Sequence, residues 1–86
     1  MKHTRFACLC CGYKTLDEEP PGTYEICEVC FWEDDDYQYA YQNETGANRV
    51  SIREAKRNFL AFGACEKESI PHTRKPKPHE MRLGHN

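Results

Sequence analysis

The chain has 86 residues, 38% apolar and 30% charged, enough for one small domain but short of a self-sufficient core, so a metal or covalent staples are expected to supply part of its stability. The formal charge of −2 leaves no net attraction for a polyanion, and no stretch nears the roughly 18 apolar residues of a membrane span. The opening MKHTRFACLCC has no apolar run of signal-peptide length, so the sequence reads as cytoplasmic, where closely spaced cysteines bind metal more often than they form disulfides.

The first cysteines arrive in CLCCGYKTL, residues 8–16, and the next in EICEVCFWEDDD. Cys8, Cys11, Cys27 and Cys30 form C-x2-C-x15-C-x2-C, a spacing that reads as a zinc site. Two intervening residues let one tight turn present both thiolates to a tetrahedral ion at ~2.3 Å, and a second turn closes the cage. Choosing Cys10 as a ligand breaks the shared two-residue gap. Gly12 supports the chosen register by letting the turn close directly after its second ligand. Four thiolates leave no position for water, which argues against hydrolysis at the metal. Zn²⁺ is the expected ion; iron fits the same cage and is not excluded by sequence. Cys10 remains as a spare thiol: redox-sensitive, a minor alternative ligand, or a small partly buried side chain.

Between the pairs lies GYKTLDEEPPGTYEI, with a turn at DEEPPG flanked by the β-favouring YKTL and TYEI. The spacer is long enough for a strand, a turn and a returning strand. Residues 33–48, EDDDYQYAYQNETGAN, read as an acidic, tyrosine-rich loop without a helical stripe, in which Gly46 and Asn48 suit a turn.

In SIREAKRNFLAFG, Ser51 and Glu54 have capping-box spacing, Ile52, Ala55, Phe59 and Phe62 share one face, and Gly63 is a natural stop. An amphipathic helix over about 51–62 follows, with Arg53, Lys56 and Arg57 as a basic flank. Cys65, just beyond, could approach the metal, pair with Cys10 or simply pack. From residue 71 the chain is basic and proline-rich and reads as an extended or mobile tail. His3, His72, His79 and His85 show no ligand spacing and are expected to face solvent.

The blocks FACLCCGY, YEICEVCFWEDD and GANRVSIREAKRNFLAFGAC together resemble the cysteine-rich CPCC family of short, mostly bacterial proteins. The resemblance covers about residues 6–70 and implies the same four ligands, Cys8, Cys11, Cys27 and Cys30. Leu9 stands where the family name has proline. Each knuckle is also similar to those of rubredoxins and zinc ribbons, although Phe31 occupies the place of a rubredoxin glycine. The family brings no settled activity with it.

The expected architecture is therefore a small α+β metal-bound domain over residues 1–70. It comprises a zinc-ribbon or rubredoxin-like two-knuckle β core (8–11 and 27–30), one appended helix, and the tail 71–86. Residues 1–46 hold three Lys/Arg against ten Asp/Glu, −7, and residues 47–86 nine against four, +5. That polarity suits internal matching or separate partners.

Three functions remain open. The first is a structural-zinc module with no enzymatic activity that binds a protein through Asp34, Asp35, Asp36, Tyr37, Tyr39 and Tyr41. The second is a nucleic-acid-binding ribbon using Arg49, Arg53, Lys56, Arg57, Arg74, Lys75 and Lys77, opposed by the acidic half. The third is electron transfer by iron, or a thiol switch between Cys10 and Cys65.

Overall fold

A computed structural model describes residues 5–81. Strand β1 (Phe6–Ala7) and strand β2 (Lys14–Leu16) form a two-stranded antiparallel sheet. They are followed by a short helix α1 (Asp36–Ala40), the longer helix α2 (Ile52–Phe62), and two 3-10 turns, Lys67–His72 and Pro78–Glu80. No helix among the described residues is long and apolar enough to cross a membrane.

The strand pairing differs from the expected single hairpin between the cysteine pairs. YKTL pairs backwards with Phe6–Ala7, whereas the TYEI segment pairs forwards through an isolated bridge between Ile26 and Glu33. Each knuckle is thus the tip of its own hairpin. The two hairpins are tied together across the spacer by Glu25, whose carboxylate accepts from the amides of Asp17 (2.9 Å) and Glu18 (3.0 Å).

The β1–β2 register slips between Phe6↔Leu16 and Ala7↔Lys14. An extra residue in one strand lets neighbours that would alternate across the sheet turn the same way. Thr15 and Leu16 are accordingly both buried.

Helix α2 forms as its sequence dictates. The Ser51 hydroxyl accepts from the Glu54 amide at 3.1 Å, and Gly63 ends the helix in the left-handed region at φ 82°. Ile52 and Ala55 are buried and Phe59 packs beside them, meeting Tyr13 edge-to-face at 6.0 Å. The helix lies on the cysteines because they are the core: among the described residues, Cys8, Cys10, Cys11, Cys27, Cys30 and Cys65 join only Val29, Trp32, Ile52 and Ala55 in the buried cluster.

Two segments depart from the sequence reading. The acidic stretch is partly helical and partly internal: Asp34 and Asp35 are buried, and the Asp35 carboxylate caps α1 by accepting from the Tyr37 amide at 2.9 Å. An aspartate ahead of a helical turn satisfies an amide that has no partner within the helix.

The second departure is the tail. Rather than an extended or mobile arm, residues 71–81 return to the body, and Glu80 is only 1% exposed. The cause is Arg74, whose guanidinium grips both Glu80 oxygens (2.9 and 2.8 Å) and also Glu28 (2.8 Å). A planar fork holding two carboxylates orders chain that has little apolar content of its own.

Candidate metal centre

Both C-x2-C turns close with the same backbone bonds. In the first, Gly12 N–H donates to Cys8 C=O (2.8 Å) and Cys8 N–H to Tyr13 C=O (2.9 Å). In the second, Phe31 N–H donates to Cys27 C=O (2.8 Å) and Cys27 N–H to Trp32 C=O (2.9 Å). Both turns need a left-handed residue after the second cysteine, supplied by Gly12 at φ 84° and by Phe31 at φ 70°. A non-glycine there costs about 1–2 kcal/mol. Phe31 is nevertheless half-buried against the core and stacks on His72 at 4.9 Å.

These turns bring the four predicted residues together. The sulfurs of Cys8, Cys11, Cys27 and Cys30 all lie within 4.8 Å of one another, in a group that could hold a metal ion. Cys8 Sγ to Cys30 Sγ is 3.6 Å and Cys11 Sγ to Cys27 Sγ is 3.7 Å. A tetrahedron of 2.3 Å metal–sulfur bonds has edges of about 3.8 Å. A disulfide would place two sulfurs at about 2 Å, and none of the six cysteines is so joined. The spacing and donor set fit a tetrahedral thiophilic ion.

Protein donors point at the sulfurs. The Thr15 hydroxyl, aimed inward by the strand irregularity, donates to Cys27 Sγ at 3.0 Å, and the Cys10 amide reaches Cys8 Sγ at 3.4 Å. Such bonds offset charge gathering on clustered thiolates. Hydrogen bonding to Cys11 first, then to Cys30, Cys8 and Thr15, pulls the Cys27 thiol well below its ordinary range. Contact with Cys27 pushes the Cys11 thiol up, and contact with Cys10 and then with Cys11, Cys27 and Cys8 pushes Cys30 up.

The remaining candidates separate clearly. Cys10 occupies the position matched in the second turn by Val29, and both are buried in the core. Cys65 donates its amide to the Cys30 carbonyl at 2.9 Å, and burial pushes its thiol up to about 11. His72 and His79 are exposed, as expected, whereas His3 and His85 lie outside the described residues.

A polar network behind the second turn has no counterpart in the sequence reading. Asn48 binds the Glu33 backbone through both side-chain atoms (2.9 and 2.8 Å). Gln38, 0% exposed, accepts from the amide and the side chain of Asn48 (both 2.9 Å) and donates to the carbonyls of Glu44 and Val50 (both 2.9 Å). Asp35 closes the loop by accepting from the Ala47 amide at 2.9 Å. Gly46 is required by proximity, since a Cβ there would sit 2.6 Å from Asp35 Oδ2 and 2.8 Å from Gln38 Cγ. The signal available was GAN itself: a small residue and an amide side chain following a buried glutamine.

Fold and site together define a small α+β protein built round a four-cysteine cluster of metal-binding type. Residues 6–80 match the family described as Cysteine-rich CPCC, and the chain belongs to that family. The match runs beyond α2 as far as Glu80, the buried partner of Arg74. No curated protein matches the chain.

Proposed function

We propose that this protein is a non-enzymatic binding module whose fold is held by one structural Zn²⁺ at Cys8, Cys11, Cys27 and Cys30. The observation that carries the reading is the burial of all four sulfur-bearing residues, none more than 3% exposed, at the edge lengths of a tetrahedron. A closed, buried set of four thiolates favours a shape-holding role over chemistry at the ion.

The contact surface of this module is the acidic, aromatic face beside α1. Tyr37, Tyr39 and Tyr41 are 49%, 43% and 57% exposed, and the rings of Tyr37 and Tyr41 lie 4.8 Å apart. Asp36 is exposed beside them, while Asp34 and Asp35 serve inside the fold. Rigid tyrosines with a nearby carboxylate suit a basic protein surface. Phosphate binding is the weaker alternative, because Arg49 is engaged by Glu66, Arg53 by Asn43 and Arg74 by Glu28 and Glu80. A rubredoxin-like iron carrier keeps the same cage.

Native mass spectrometry with elemental analysis tests the ion: one zinc per chain is expected, and a colourless preparation excludes ferric tetrathiolate. Co-purification from the host tests the surface, with Tyr37→Ser/Tyr41→Ser beside the parent chain. A partner retained equally by both chains, or a chain that takes up no ion, overturns the corresponding half of the proposal.

A further inference from the structure

The two cysteine turns are alike in backbone but not in what secures them. The first is the tip of β1–β2, a hairpin with a paired sheet. The second has the isolated Ile26–Glu33 bridge and one further backbone bond, Tyr24 N–H to the Asp34 carbonyl (2.9 Å), across its stem, and Asn48 fixes only its outgoing arm, at Glu33. Yet three separate points of this second turn are gripped by chain that follows α2. Cys65 N–H holds the Cys30 carbonyl (2.9 Å), His72 stacks on Phe31 (4.9 Å), and Arg74 binds Glu28, which stands between Cys27 and Cys30, through Nη2 (2.8 Å) and Nε (3.2 Å).

Arg74 is itself fixed from behind. Glu80 takes two of its N–H groups and also accepts from the Lys77 amide at 2.9 Å, while the Lys75 carbonyl accepts a further Arg74 bond at 3.0 Å. The guanidinium is therefore oriented by its own segment before it reaches Glu28. A surface ion pair contributes little when both side chains are free, but a pre-oriented fork gives up less freedom on pairing.

We infer that Arg74 is a positioning residue of the metal centre and that residues 72–80 act as a clasp holding the Cys27–Cys30 turn shut on its ion. The inference rests on the cage binding a metal, as proposed above. An ion held by two turns leaves when one of them opens, and in the second turn the bridge and Asn48 secure the stem but not the loop of residues 28–31 that carries Cys30. The clasp restrains that loop, so it governs how fast the ion is lost or exchanged more than how the four sulfurs arrange around it. Glu28 is the matching position on the turn: its side chain is 67% exposed and not a ligand, yet it is where the clasp fastens.

The test uses the full chain loaded with zinc or cobalt and follows metal transfer to an excess of a coloured chelator. Arg74→Gln and Glu28→Gln are each expected to release metal about tenfold faster than the parent, and the double variant no faster than Arg74→Gln alone. Arg74→Lys, with one donor group in place of a fork, falls between. Arg49→Ala, which removes the exposed Glu66 pair, releases at the parent rate. The cobalt–thiolate absorption spectrum of every variant matches the parent, showing an intact cage.

Release rates for Glu28→Gln and Arg74→Gln within about twofold of the parent overturn the clasp, as do independent, multiplicative effects in the double variant. If Arg74→Gln fails to fold, Glu28→Gln decides alone, since it alters only an exposed carboxylate. A parent chain that takes up no cobalt overturns the zinc reading and the clasp together, whereas a loaded parent with unaltered variants overturns the clasp only.

Discussion

Gln38 Oε1 accepts two hydrogen bonds from Asn48, one from its amide and one from its side chain, each at 2.9 Å. With two carbonyls accepting from its Nε2, Gln38 has its full hydrogen-bonding capacity met while wholly buried. Replacing it by leucine strands those four groups, so Gln38→Leu is expected to destabilise the loaded protein by about 3 kcal/mol or more, read from denaturant unfolding. Gly46→Ala, forced against Asp35 and Gln38, is expected to cost about 1–3 kcal/mol in the same assay. A Gln38→Leu variant as stable as the parent refutes the network's importance.

The Thr15 hydroxyl donates to a cage sulfur, Cys27 Sγ, at 3.0 Å. Thr15→Val keeps the shape and removes the donor, and should weaken metal affinity by about tenfold, whereas Thr15→Ser retains most of it. Competition titration against a chelator of known affinity measures both.

Phe31 combines a strained backbone with a useful ring. Phe31→Gly relieves the left-handed conformation while losing the stack; Phe31→Ala loses the stack and keeps the strain. The alanine variant is expected to be less stable than the glycine variant by about 1 kcal/mol. Equal stabilities would mean the turn relaxes out of the left-handed region.

Arg74 holds the Glu80 carboxyl down at about 2, against an ordinary 4.5. A carboxyl depressed on folding stabilises the folded state when ionised, so its contribution is complete above about 4.5 and disappears as pH falls towards 2. Its upper bound is on the order of 3 kcal/mol. The stability gap between the parent and Glu80→Gln should therefore be full at pH 6 and narrow below 4.5. A gap unchanged down to pH 3 would place the effect elsewhere.

Six of the ten described residues in the buried cluster are cysteines, so stripping the ion should dismantle the core rather than trim it. Chelation is expected to red-shift the fluorescence of Trp32, which is 1% exposed, and to lower the helical circular dichroism signal. Unchanged spectra after complete metal removal would show that the apolar contacts suffice alone.

The parts legible in the sequence were those encoded locally. The C-x2-C pairs, the Ser51 cap, the Ile52–Phe62 stripe and the Gly63 stop each depend on residues within a turn or two of one another. The partly hidden parts depend on distant pairing. Asp34 and Asp35 have the composition of a solvated run, and only their amide partners, Thr23 for one and Tyr37 with Ala47 for the other, reveal why they turn inward. Arg74 looks like any charge in a proline-rich arm until Glu28, 46 positions earlier, comes within reach. The strands were expected in the right places but with the wrong neighbours, because residue preference does not specify which edge a strand joins.

Gly12 and Phe31 fill corresponding corners of two loops closed by the same pair of backbone hydrogen bonds. The repetition would give an ion symmetric jaws; the single bulky corner makes one jaw unlike the other. A change at residue 12 must bear the left-handed backbone of its own loop. A change at residue 31 also disturbs the stacked His72 and, through it, the route the polypeptide takes to its final folded stretch, so the two halves of this duplicated grip will not tolerate mutation equally.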